Sequence, residues 1–146
     1  MPSSLRVVVC ENRTNFLALP SLPWVLALWG EGGAAAGLLP RLPWLQDAHV
    51  VYWGDLDPAG LSILAGLRRS LPGVQSILMD DATLNQHLDK LLPAKAPVGM
   101  FESGLLRAAE LKAYEQILEP PRGIEQEKLL FRDCLEALAQ ALNTHG

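Results

Sequence analysis

Glu11, Asp55 and Asp57 each follow directly on a short apolar run of the chain. The clearest stretch is Val50-Val51-Tyr52-Trp53-Gly54-Asp55-Leu56-Asp57-Pro58-Ala59-Gly60, in which an apolar strand ends in Asp-x-Asp and a proline opens a helix. Residues i and i+2 of an extended chain point to the same side, so Asp55 and Asp57 can converge on one cation. A hard divalent cation such as Mg²⁺ takes carboxylate oxygens and keeps several waters or substrate phosphates. The pair alone has a plainer reading: acids ahead of a helix cap it or complement its dipole. Val7-Val8-Val9-Cys10-Glu11-Asn12 tips the balance. It also ends in an acid, and burying an unpartnered carboxylate is costly. Three acids from two strand ends point to a metal site, with Mg²⁺ or Mn²⁺ as the expected cofactor.

Weaker features surround these three. Trp29-Gly30-Glu31-Gly32-Gly33 could let backbone approach a phosphate, but it lacks the Lys-Ser/Thr of a P-loop and reads as a turn. Met79-Asp80-Asp81 ends a fourth apolar run; Asp81 is expected to cap a helix and Asp80 to support the site. Arg68 and Arg69 are read as a solvated helix face. His49, His87 and His145 are too scattered for a metal site or a triad.

The elements that must position these residues alternate. Leu5–Cys10, Trp24–Trp29, His49–Gly54 and Val74–Met79 have strand character. They are almost continuously apolar, as in a parallel sheet buried on both faces. Helices are expected over Gly33–Leu45, Ala59–Leu71 and Thr83–Leu92, with a weak edge strand at Pro97–Phe101. Further helices follow over Gly104–Leu118 and, after Pro120-Pro121, over Ile124–Leu142. In the last, Ile124, Phe131, Leu135, Leu138 and Leu142 recur at helical spacing, and the stripe passes through Glu127. Glu125 lies about 200° from it. Glu127 is therefore expected to face inward as a supporting residue, and Glu125 outward. The fold class is α/β: a mostly parallel four-stranded sheet flanked by helices, with further C-terminal helices. Residues 1–146 read as one domain, with a core over about 5–101 and a helical part over about 103–143.

The 146 residues suit one domain, and 49% are hydrophobic, enough for a core. No run of about 18 apolar residues is present, and the N-terminus lacks a signal-peptide layout, so the expected location is cytoplasmic. Cys10 and Cys134 lie in apolar segments without metal-ligand spacing. A net charge of −4 argues against a domain that grips DNA unaided.

The order of a Glu strand, a Gly-rich turn and a strand ending Gly-Asp-x-Asp resembles a Toprim domain, the Rossmann-like catalytic fold of topoisomerases, primases and some nucleases. The chain is similar in particular to the C-terminal Toprim domain of the Wadjet defence protein JetD family, itself like that of the topoisomerase VI A subunit. The resemblance rests on Glu11-Asn12, Trp29-Gly30, the stretch from Tyr52 to Gly60, and Ile63-Leu64 with Leu67-Arg68. It continues through Ser76-Ile77-Leu78-Met79-Asp80 and Ile124-Glu125-Gln126-Glu127. It implies a divalent-metal-dependent DNA endonuclease that cleaves invading circular plasmid DNA beside a condensin-like SMC complex. Glu11 would be the Toprim glutamate, and Asp55 and Asp57 the metal-binding aspartates. It also implies N-terminal arm and winged-helix regions in a longer parent protein, of which this chain would be the C-terminal part, and a possible homodimer.

Two rivals stand beside that reading. Haloacid-dehalogenase-like phosphatases also place Asp-x-Asp after a strand, but on their first strand and with a Thr two residues on; here the motif is on the third, and Ala59 holds that place. A non-catalytic Toprim-like scaffold that docks partners would use the acids only as caps.

Overall fold

The computed structural model describes residues 5–30, 37, 41–97 and 102–143. A four-stranded sheet forms the centre, from β1 (Arg6–Cys10), β2 (Val25–Trp29), β3 (His49–Trp53) and β4 (Gln75–Ser76). The order is β2-β1-β3-β4 and every pairing is parallel. Val7 through Cys10 and all of β3 are buried, which is why these strands read as unbroken apolar runs. Cys10 stands in register with both Trp29 and Trp53, so β1, β2 and β3 end level at one edge of the sheet.

Helices α1 (Arg13–Ala18), α2 (Pro58–Ser70), α3 (Asp81–Gln86), α4 (Ala108–Ile117) and α5 (Phe131–Asn143) flank the sheet. Leu61, Leu64, Ala65 and Leu67 form the buried side of α2. Cys134, Leu138, Ala141 and Leu142 form that of α5. The Phe131 ring stacks on Trp53 at 6.3 Å, and the buried His49 ring meets the carbonyl of Ala141 at 2.8 Å, so α5 is fastened to β3 at two points.

Several expectations shift in detail. β4 is only two residues long, because Leu78 takes a left-handed backbone (φ 57°) that an extended strand cannot continue. The cap of α3 is Asp80, not Asp81: its carboxylate accepts from Thr83 N at 2.9 Å, while Asp81 is the first helical residue. The chain beyond α3 turns through a short 3₁₀ segment at Leu88–Lys90 and enters β5 (Leu92–Pro93), so the helix does not reach Leu92. Residues 98–101 of the expected edge strand, and most of the expected helix over Gly33–Leu45, lie outside the described residues; within the latter, Pro43–Asp47 is a 3₁₀ turn.

Arg68 is not on a solvated face. Its side chain is 3% exposed and forms a two-pronged ion pair with the buried Glu110 of α4. It also donates to the carbonyls of Val74 and Leu105 at 3.0 Å. Glu110 further accepts from Ser76 Oγ, and from Arg107 N at 2.7 Å as the third residue of α4. Burial pushes the Glu110 carboxyl up, but the hydrogen bonds from Arg68, Ser76 and Arg107 outweigh it and hold it below its ordinary value. This cluster ties α2, β4 and α4 together.

The largest departure lies near the C-terminus. No single helix runs from Ile124 to Leu142. β6 (Arg122–Gly123) pairs antiparallel with β5, Ile124 forms a backbone bridge with Leu56, Gln126–Lys128 is a 3₁₀ turn, and α5 begins only at Phe131. Ile124 is buried as the helical stripe requires, but its backbone bonds go to Leu56 rather than along a helix.

Candidate metal centre

The site is assembled at the sheet edge where β1, β2 and β3 end. Leu56 sits between the two aspartates and pairs with Ile124 in both directions, at 3.1 and 2.9 Å. Its side chain is buried in the core. The alternation of an extended chain then sends Asp55 and Asp57 to the other side, where both line one cleft of about 300 Å³. Leu92 through Lys95 and Gly123, at the antiparallel pair of β5 and β6, form its far wall, and Glu125 completes it. Ala94 N donates to the Pro121 carbonyl at 3.0 Å, extending that pairing toward Lys95.

Each aspartate has one oxygen engaged by backbone. Asp55 Oδ1 accepts from Gln126 N at 2.6 Å. Asp57 Oδ1 accepts from Gly60 N at 2.6 Å, so Asp57 caps α2 as the plainer reading of the pair proposed. Among the described residues, no hydrogen bond reaches Oδ2 of either. Burial, only partly offset by the Gln126 hydrogen bond, drives the Asp55 carboxyl up to about 6, with Asp57, Glu125 and Glu127 adding to the rise. Asp57 is also raised, by burial first and then Glu125, against the opposing Gly60 hydrogen bond. A cation would relieve this accumulated negative charge.

Glu11 stands one strand over. Its backbone N donates to the Trp53 carbonyl at 3.1 Å, and lateral strand spacing is about 4.8 Å. Its side chain accepts from the Tyr52 hydroxyl at 3.2 Å and lies over Gly30, where a Cβ would overlap the carboxylate. Gly30 is therefore glycine to admit Glu11. Tyr52 is fully buried, and its hydroxyl is held well above its usual value by burial, then by Glu11 and more weakly by Asp55 and Asp57. It is a positioning donor, unsuited to nucleophilic attack.

The structure thus groups Asp55 with Asp57 and leaves Glu11 beside them rather than among them. Among the described residues, no three His, Cys, Asp or Glu side chains lie close enough to share one metal ion. Two carboxylates still suit Mg²⁺, which is commonly held by one or two of them with waters and substrate phosphates. Asp80 spends its carboxylate on α3 and does not line the cleft. Glu127 is exposed in the 3₁₀ turn rather than facing inward, though its charge still reaches Asp55.

Gln126 takes the inward place instead. It is 1% exposed; besides its N–H to Asp55, its Oε1 accepts from Asn12 N at 3.3 Å and its Nε2 donates to Cys10 Sγ at 3.2 Å. One residue thus ties the end of β1 to Asp55. Only its place between Glu125 and Glu127 in the family-like motif could have marked it. Gly123 matters similarly, since a Cβ there would run into Asp57 Cβ and the Leu56 carbonyl.

A family model described as Wadjet protein JetD, C-terminal, matches residues 2–138, nearly the whole chain. The chain belongs to the JetD C-terminal family. No curated protein matches it closely enough to add a relative. Membership makes this a Wadjet defence-system protein. Its JetD-type fold is α/β with a parallel four-stranded sheet, consistent with a Toprim-like arrangement. Among the described residues, no helix is long and apolar enough to cross a membrane.

Proposed function

We propose that this JetD C-terminal domain is a divalent-metal-dependent DNA endonuclease module that cuts phosphodiester bonds of invading circular DNA. The observation that carries the reading is the shared cleft of Asp55 and Asp57 at the carboxyl ends of parallel strands, where open α/β sheets bind ligands. Asp55 and Asp57 would hold Mg²⁺ or Mn²⁺ through the oxygens that backbone leaves open. Such a cation supplies charge neutralisation at a phosphate and acidifies water.

The remaining roles fall to the chain. Gln126 N and Gly60 N fix the two carboxylates, so little reorganisation is needed on binding. Glu11, held by Tyr52 and separate from the pair, is assigned as the proton acceptor for the attacking water. The net charge of −4 fits a module whose grip on DNA comes from elsewhere: the condensin-like SMC complex and the arm and winged-helix regions of the same parent protein.

The test is plasmid cleavage by the assembled defence system carrying Asp55→Ala or Asp57→Ala. Loss of cutting with assembly intact is expected. Undiminished cutting by either variant would refute the assignment and favour a docking scaffold.

A further inference from the structure

The cleft holds one residue that the acidic site does not use. Lys95 lines the same space as Asp55, Asp57 and Glu125, and is the basic residue among those lining it. Despite this company it forms no ion pair or hydrogen bond with the described residues, although ion pairs occur elsewhere in the fold. It stands two residues beyond β5, which pairs with β6 in the register Leu92 to Gly123 and Pro93 to Arg122, and the intervening Ala94 bonds to the Pro121 carbonyl. β6 leads at once into Ile124, which bridges Leu56, and then into Gln126, which holds Asp55. Backbone pairing that runs as far as Ala94 thereby brings Lys95 to the lining of the cleft that holds the aspartates.

A lysine opposite carboxylates, yet unpaired with them, suits an anion that arrives with the cation. Once a divalent ion neutralises Asp55 and Asp57, the remaining attraction for an ammonium is the bound anion. Lysine binds phosphate as a mobile point charge rather than a planar fork. A volume of about 300 Å³ has room for a phosphate group together with its ion.

We propose that Lys95 is a further catalytic residue, contacting a non-bridging oxygen of the DNA phosphodiester held over Asp55 and Asp57. The inference rests on the nuclease reading and adds to it the group that grips the substrate anion.

The test uses the full chain, a fluorescent DNA duplex and Mn²⁺. Duplex affinity is measured by anisotropy with Mn²⁺ and with chelator across a salt series, and Mn²⁺ affinity by calorimetry. For Lys95→Met we expect Mn²⁺ affinity equal to or tighter than wild type. Its Mn²⁺-dependent duplex affinity should fall about tenfold, the loss of one charge-assisted contact. The salt slope should fall by about one. Lys95→Arg should restore most of the affinity. Wild-type duplex affinity and salt slope in Lys95→Met, with Mn²⁺ binding intact, would overturn the assignment of Lys95 alone. Absence of Mn²⁺ binding in the wild type would overturn the underlying metal site and this inference with it, and Mn²⁺ binding with no Mn²⁺-dependent gain in duplex affinity would overturn the phosphate contact while leaving the metal site standing.

Discussion

At the residue scale, the site is held in tension by its own charge. The Asp55 carboxyl is raised to about 6, above the 3.8 of an unburied aspartate. The stability tied to its protonated form is present below the unfolded value and is lost as pH rises through the folded one. Asp55→Asn should therefore stabilise the metal-free chain at neutral pH, by about 1–2 kcal/mol or a few degrees in Tm, with the gain vanishing near pH 4. Thermal unfolding of both proteins across pH checks this; a variant no more stable than wild type at pH 7 would contradict it. Gly30→Ala and Gly123→Ala separate two kinds of crowding. At Gly30 the obstruction is the Glu11 side chain, which can swing away, so stability should change little while Glu11 is displaced. At Gly123 it includes the Leu56 carbonyl, so the cost should be roughly 1–3 kcal/mol, read by denaturant titration.

At the element scale, the strands and α2 were legible in sequence because parallel strands buried on both faces and a Pro-initiated helix leave strong local patterns. The pairing of Asp55 with Asp57 was legible from the i, i+2 alternation. What was not legible depends on contacts distant along the chain. Ile124 fits a helical stripe, yet its bridge to Leu56, 68 residues earlier, decides its conformation. That bridge turns Gln126 inward and leaves Glu127 outside. Arg68 looked solvated because its partner Glu110 lies on another helix. Gln126→Ala should retain the fold at a cost of about 1–3 kcal/mol, since the Asn12 amide loses its acceptor. Because that residue ties β1 to Asp55, the variant should also weaken Mn²⁺ binding; unchanged affinity by calorimetry would show that the clasp is structural only.

At the scale of the whole molecule, two buried carboxylates pull stability in opposite directions with pH. Glu110 is held below its ordinary 4.5, so its contribution is present above that value and lost as pH falls through the lower folded one. Asp55 acts in the opposite sense, up to about 6. The metal-free chain should thus be most stable in mildly acidic solution, and a divalent cation should move the optimum toward neutrality. Arg68→Met, which strands Glu110 in the interior, should cost about 3–5 kcal/mol.

The central claim is that Asp55 and Asp57 hold a divalent cation while Glu11 stands beside it. Calorimetric titration of Mn²⁺ into the full chain tests this directly, beside Asp55→Asn, Asp57→Asn and Glu11→Gln. Saturable binding in the wild type, lost in both aspartate variants and kept in Glu11→Gln, is the predicted result. Binding that survives both aspartate substitutions, or none in the wild type, would contradict it.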